Sequence, residues 1–168
     1  MADNTDLIEC LRKGDVGFFE KVERDVLLNY RNETGGSALL QAAILGQWSC
    51  CVVIHKRCPE LLYHTATDGM TALHCAVETG HLQWAKLLVE ADSSKKLLRM
   101  VTSLNGDTAM HLAVKKNHLE IVKLLLDVDP DYEYPSNTSG HTPLYIAWKE
   151  ALSHDDDHVT GILLDHLA

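Results

Sequence analysis

The stretch Gly69–His81 reads GMTALHCAVETGH, and Gly106–His118 reads GDTAMHLAVKKNH. An active site has little use for a second copy of its key residues, whereas a stack of similar units repeats its frame. Aligned on the hydroxyl residue of the phrase, Ser37, Thr71, Thr108 and Thr142 mark four copies at steps of 34, 37 and 34 residues. Each copy reads as a turn, a short apolar helix, a Gly or Asn break, a second apolar helix and a loop to the next turn. Ahead of them, DLIECLRKGDVGFFEKV has two helical stretches without the opening turn. The organisation expected is a single domain over 1–168. Residues 3–30 form an N-terminal capping helix pair in this reading, followed by repeats at 32–65, 66–102, 103–136 and 137–168.

The residue types explain the phrase. Gly35, Gly69, Gly106 and Gly140 fall where a tight turn calls for positive φ. Thr71, Thr108 and Thr142 follow as helix N-caps, and Pro143 takes a first helical position, where its missing donor does no harm. Ala76, Ala113 and Ala147 keep the first helices thin enough to stack. Gly46, Gly80 and Asn117 end those helices in a left-handed residue. In HLEIVKLLL, residues Leu119, Val122, Leu125 and Leu126 share one side of the second helix. His74 and His111 stand three residues after Thr71 and Thr108, so imidazole and hydroxyl meet on one face of the first turn. Repetition of the pair, with no nucleophile nearby, makes it a structural brace that also ties neighbouring repeats, and His81 and His118 are read as structural too.

The chain has 168 residues, 46% hydrophobic and 23% charged, the composition of a globular domain. Fifteen basic against twenty-four acidic residues give a net charge of −9, which excludes non-specific phosphate binding; no nucleic-acid partner is expected. The single dense basic spot is Lys95, Lys96 and Arg99. The five cysteines are odd in number and lack a Cys-x-x-Cys spacing, so they read as reduced, mostly buried thiols of the cytosol or nucleus, and a cytoplasmic protein is expected. The N-terminus has neither the basic flank nor the apolar core of a secretory signal, and no apolar run is long enough to insert into a membrane.

The segments TALHCAVETGHLQWAKLLVE and TAMHLAVKKNHLEIVKLLL resemble the ankyrin repeat, whose pattern is Gly-x-Thr-Pro-Leu-His-x-Ala-Ala, then Gly-His, then a Leu-rich helix. The resemblance is strong in the copies at Thr71 and Thr108, good at the start of the Thr142 copy, and weak in the Ser37 copy, where Leu40 replaces the His. It implies an all-α solenoid of stacked helix-turn-helix units that binds another protein, without cofactor, metal or catalytic residues. The connectors CPELLYHTATDG and DPDYEYPSNTSGHTPLYIA are similar, more narrowly, to those of plant ankyrin–transmembrane proteins of immunity and cell death. On that reading the chain is either the cytosolic recognition part of such a protein, placed at a membrane's cytosolic face, or a truncated soluble relative. The rival expectation is a soluble scaffold or adaptor that recruits clients, for example to a ubiquitin ligase or a kinase.

Carried over residue by residue, the family's variable contact positions give a candidate concave face. It comprises Ile44 and Leu45; Thr67, Asp68, Met70, Glu78 and Thr79; Leu104, Asn105, Asp107, Lys115 and Lys116; and Thr138, Ser139, His141, Lys149 and Glu150. Trp48, Trp84 and Trp148 fall within helix patterns and are expected to pack in the core or between repeats. The string HDDDH at His154–His158 has the look of a metal site and would be the centre of a remote alternative, a metal-dependent hydrolase. Its place in an insertion between two helices favours a solvated acidic loop at a helix's positive end. The last helix, VTGILLDHL, is apolar and no polar capping unit follows it, so fraying there, self-association through the C-terminal repeat, or more chain in the parent protein is expected.

Overall fold

A computed structural model of the chain describes the backbone of residues 4–154 and 158–167, and the side chains of residues 6–152 and 159–165. All regular structure among these residues is helical. The chain divides into two compact units, Met1–Cys75 and Ala76–Ala168.

The first unit holds α1 (Asn4–Lys13), α2 (Val16–Lys21), α3 (Arg24–Asn29), α4 (Ala38–Ile44), α5 (Trp48–Arg57) and a 3-10 turn, Pro59–Tyr63. Both α2 and α4 pack against α5 over a core that includes Phe19, Leu39, Leu40 and Ile54. Arg57 donates to the Phe19 carbonyl at 2.6 Å, and Arg24 donates to the Arg57 carbonyl at 3.0 Å and pairs with Glu60. These contacts fasten the N-terminal helices to the first full copy of the repeat. Helix α6 (Ala72–Glu78) runs from this unit into the next.

The second unit continues with α7 (Leu82–Ala91), α8 (Lys96–Arg99), α9 (Ala109–Lys115), α10 (Leu119–Val128), α11 (Pro143–His154) and α12 (His158–Leu167). Helix α9 packs on α10 and α11, while α10 also packs on α7 and α12. Copy therefore lies against copy within this unit. Helices of seven residues, such as α9, are too short to persist alone in water. They are held by burial of Ala109, Met110, Ala113 and Val114 against these neighbours.

The turns follow the expectation. Gly35, Gly69, Gly106 and Gly140 have φ of 73°, 78°, 63° and 76°, and Asn117, at 55°, ends α9 in the left-handed region. At Gly106 the space is closed as well: a Cβ there would lie 3.1 Å from Thr138 Cγ2 and 3.3 Å from the Thr138 backbone nitrogen.

Two features depart from the sequence reading. The stretch expected as a helix pair holds three helices, because extended backbone at Val22 and Glu23 separates α2 from α3. The connectors read as loops also carry short helices, at Pro59–Tyr63 and Lys96–Arg99. Together with α3 these form a series, since each buries one or both leucines of a Leu-Leu pair: Leu27, then Leu61 and Leu62, then Leu97 and Leu98. The first leucine of each pair sits ten or eleven residues before the hydroxyl cap of the following helix. The connector before Thr142 lacks it and has Tyr132 and Tyr134 in T-shaped contact at 4.6 Å instead.

Candidate functional site

The repeated histidine has one definite job. The Thr108 backbone N–H donates to His111 Nδ1 at 3.1 Å, so that nitrogen is an acceptor and carries no proton. The proton then sits on Nε2, which donates to the His141 carbonyl of the next copy at 3.0 Å. Thr108 Oγ1 accepts from the His111 N–H at 3.5 Å and lies 2.8 Å from Nδ1, to which its hydroxyl donates. This is a capping box in which imidazole takes the place of the usual Glu or Gln. Burial pushes His111 below the ordinary imidazole range, against the pull of the His141 carbonyl and Asp107. Thr71 and His74 repeat the geometry, with Nδ1 3.2 Å from the Thr71 nitrogen and 2.8 Å from its hydroxyl. In the last copy Tyr145 replaces the histidine, and the Thr142 hydroxyl accepts only from its backbone N–H, at 3.2 Å.

Asp107 corrects the candidate list. It was expected on an exposed contact surface, yet it is 1% exposed. Its Oδ2 pairs with Lys115 at 2.5 Å and its Oδ1 accepts from Asn137 Nδ2 at 2.8 Å. Burial raises the Asp107 carboxyl, but Lys115 and Asn137 more than offset this and hold it below the ordinary carboxylate range. Asn137 Oδ1 in turn accepts from the Ser139 and His141 N–H groups at 3.0 and 3.1 Å. Asp107 is thus a frame residue that joins one turn to the next. Lys115 remains half-exposed above it, and Lys116 pairs with Glu78 at 2.5 Å.

The remaining candidates of the second unit are surface residues on this frame. Leu104 is 80% exposed at the tip of a turn whose backbone is bonded on both sides. The Thr102 N–H donates to the Asp107 carbonyl at 2.9 Å, and the Thr138 N–H and hydroxyl donate to the Asn105 carbonyl at 2.8 and 2.9 Å. Ser139, Thr79, Lys149 and Glu150 are exposed, and the His141 ring packs on Tyr145 at 4.6 Å. Within the first unit, Ile44 and Thr67 are exposed, whereas Leu45, Asp68 and Met70 are half-buried. Asp68 Oδ1 accepts from the Met70 N–H at 3.0 Å.

Of the three tryptophans, Trp84 is buried and Trp48 half-buried, but Trp148 is 51% exposed, contrary to the expected core packing. The basic spot is not an open patch: Lys95 and Arg99 both pair with Asp129, at 2.8 and 2.5 Å, and Arg99 lies 4.5 Å over the Tyr132 ring. The cysteines carry free thiols, and burial pushes that of Cys51 far up, which makes it unreactive.

Among the described residues, no group of three or more His, Cys, Asp or Glu side chains is placed to hold a metal ion. The HDDDH string lies outside this statement: residues 155–157, and the side chains of His154 and His158, are outside the described residues. Among the described residues no helix is long and apolar enough to cross a membrane. A cleft between the Pro130–Tyr134 connector and Thr142–Leu144 has an apolar lining, including Leu126 and Leu163, with Asp131 and Glu133 on it.

The family model for ankyrin repeats, in three copies, matches residues 2–98 and 92–166. SMC5-SMC6 complex localization factor protein 1 of Bos taurus and that of Homo sapiens are each 36% identical over 63 residues, 38% of this chain and 6% of theirs. An ankyrin repeat-containing protein of Arabidopsis thaliana is 32% identical over 98 residues, 54% of this chain and 19% of that protein. The matches thus span less than a fifth of these relatives' lengths.

Three outcomes follow from this geometry. Thr108→Ala and His111→Ala each lower stability by roughly 0.5–2 kcal/mol in denaturant melts, and the double variant costs less than the sum because the two share one bond set. Strict additivity would contradict the brace. Because His111 is held below its unfolded value, the unfolded chain takes up its proton first, so stability is full above about pH 6.5 and declines as pH falls below it. His111→Gln flattens that decline only in part, since burial also lowers His55 and His64. Asp107→Ala strips Asn137 and Lys115 of their acceptor and costs about 1–3 kcal/mol. A loss within the scatter of surface substitutions would return Asp107 to the contact surface.

Proposed function

Since the chain belongs to the ankyrin-repeat family, whose members are generally protein-binding modules and typically not enzymes, we propose that it binds a protein partner through the turn tip at Leu104 and the neighbouring lysines. The observation that carries this reading is Leu104 itself. It is the most exposed large apolar side chain among the described residues, and it stands on a turn that the Thr102, Asp107 and Thr138 bonds hold in place. A pre-ordered apolar anchor binds without the entropy cost of ordering a loop. Lys115 and Lys116 stand at the surface, each already paired with a carboxylate, Asp107 and Glu78, and offer a partner N–H donors rather than net positive charge.

The finer reading is that this is the cytosolic recognition domain of a plant immune or cell-death protein tethered to a membrane. The resemblance of its connectors to that group and its likeness to the Arabidopsis protein support it. The alternative, a soluble adaptor, has support from the 63-residue likeness to proteins named as localization factors. Fractionation of the native protein separates the two: recovery in an alkali-resistant membrane pellet favours the tethered reading, and recovery in the soluble fraction favours the adaptor.

Leu104→Asp leaves the melt unchanged to about 0.5 kcal/mol, because the side chain buries almost nothing. Its affinity for a partner captured by the wild-type chain falls at least tenfold, about 1.4 kcal/mol. Unchanged affinity in a titration would move recognition away from this tip.

A further inference from the structure

The connector before Thr142 lacks the Leu-Leu helix of the other three, and the place such a helix fills is open. One copy earlier, α8 packs on α9 and buries Leu97 and Leu98. In the first unit the Pro59–Tyr63 turn packs on α4 and α5 and buries Leu61 and Leu62. Between the Pro130–Tyr134 connector and the first turn of α11 there is instead a cleft of about 510 Å³, within the roughly 300–1,000 Å³ of ligand clefts. Leu126 of α10 and Leu163 of α12 line it, with Pro143 and Leu144 of α11. Leu144 is half-buried there, whereas its counterpart Met110 is fully buried. In the earlier copies the leucines come from the connector itself. The opening is therefore set by a leucine pair missing inside the chain.

The walls of the cleft are fixed. The Tyr134 hydroxyl donates to the Leu125 carbonyl at 3.5 Å, and Tyr132 lies between the Tyr134 ring, at 4.6 Å, and Arg99, at 4.5 Å. An occupant is thus spared the cost of ordering the connector. The rim is acidic. Asp131 and Glu133 are on it, both are exposed, and neither has a hydrogen-bond or ion-pair partner among the described residues. Lys95 and Arg99, which reach the same connector, are taken by Asp129. We infer that this cleft is a docking site for a partner segment that carries a leucine pair flanked by lysine or arginine.

The lining selects aliphatic side chains, which leave water for an apolar place. The two free carboxylates select the flanking cations and repel an acidic segment, and a net charge of −9 draws basic segments toward the chain. The chain itself holds a segment of this chemistry. KKLLRM, Lys95–Met100, fills the corresponding place one copy earlier, with Leu97 and Leu98 buried while Lys95 and Arg99 reach a carboxylate of the next connector.

The test is fluorescence anisotropy of a dye-labelled KKLLRM peptide titrated with the 168-residue chain at physiological salt. Saturable binding is expected, with a dissociation constant of about 1 mM or tighter. Asp131→Lys with Glu133→Lys, both at exposed positions, weakens it at least tenfold with unchanged circular dichroism, and Leu144→Trp, which fills the cleft, does the same. Glu20→Lys with Glu33→Lys, the same change of charge in the first unit, leaves it within twofold. The peptides KKAARM and EELLEM bind at least tenfold more weakly. No binding of KKLLRM overturns the inference, as does binding indifferent to both cleft variants or equally weakened by the first-unit pair. Equal binding of KKAARM overturns the leucine seat, and equal binding of EELLEM overturns the role of the carboxylates. A concentration-dependent mass in sedimentation that Asp131→Lys with Glu133→Lys abolishes assigns the cleft to a second copy of the chain and overturns the partner segment. None of these results bears on recognition at Leu104.

Discussion

In the second unit a neutral imidazole ties one copy of the frame to the next. His111 takes the Thr108 N–H on Nδ1 and gives its Nε2 proton to the His141 carbonyl, so one ring caps a helix and fastens the next turn. Both bonds fit the same neutral tautomer; protonation at Nδ1 would break the first, while the Nε2–H bond to the carbonyl would persist. The capped helix has seven residues and cannot persist by itself, so its existence depends on that fastening and on the alanine-thin contacts around it. An unsatisfied donor at this buried place would cost far more than the bond contributes when made.

With the frame secured in this way, the surface is free to differ from copy to copy. Asp107 marks the boundary between the two. The equivalent position in the other copies is Gly36, Met70 or His141, so residue type there is not constrained by the turn itself. In this copy a buried carboxylate is tolerated because an ammonium and an amide reach it from two directions. Three residues earlier the chain is wholly outside the frame, at Leu104, yet the turn that carries it is bonded on both sides. Rigidity of the backbone and freedom of the side chain coexist there, which is the arrangement recognition requires.

The last copy relaxes the rules that govern the others. Tyr145 replaces the bracing histidine, and the Leu-Leu pair of the preceding connector gives way to Tyr132 and Tyr134. Asp129 shows the consequence. Its counterpart Asp92 caps a short helix by accepting from the Leu97 N–H at 2.6 Å. With no short helix after it, Asp129 gathers Lys95 and Arg99 instead, and Lys95 and Arg99 together hold its carboxyl below the ordinary range. The basic spot that stands out in the sequence is therefore a clasp between connectors.

The sequence by itself determined the parts that depend on neighbours along the chain. Turn glycines, hydroxyl caps, the Thr–His spacing and the apolar sides of the helices are local constraints, and each recurs at a period that makes it visible. The Leu-Leu pairs were equally periodic, but a connector helix of four or five residues has no helical pattern of its own and forms only when its leucines are buried. Tertiary structure alone decided which polar and aromatic side chains stay outside. Asp107 turned inward because Asn137, thirty residues on, was there to meet it, and Trp148 remained outside because no described segment covers that side of α11. Burial is a property of what arrives from elsewhere in the chain, and a residue's own neighbours in sequence do not carry that information.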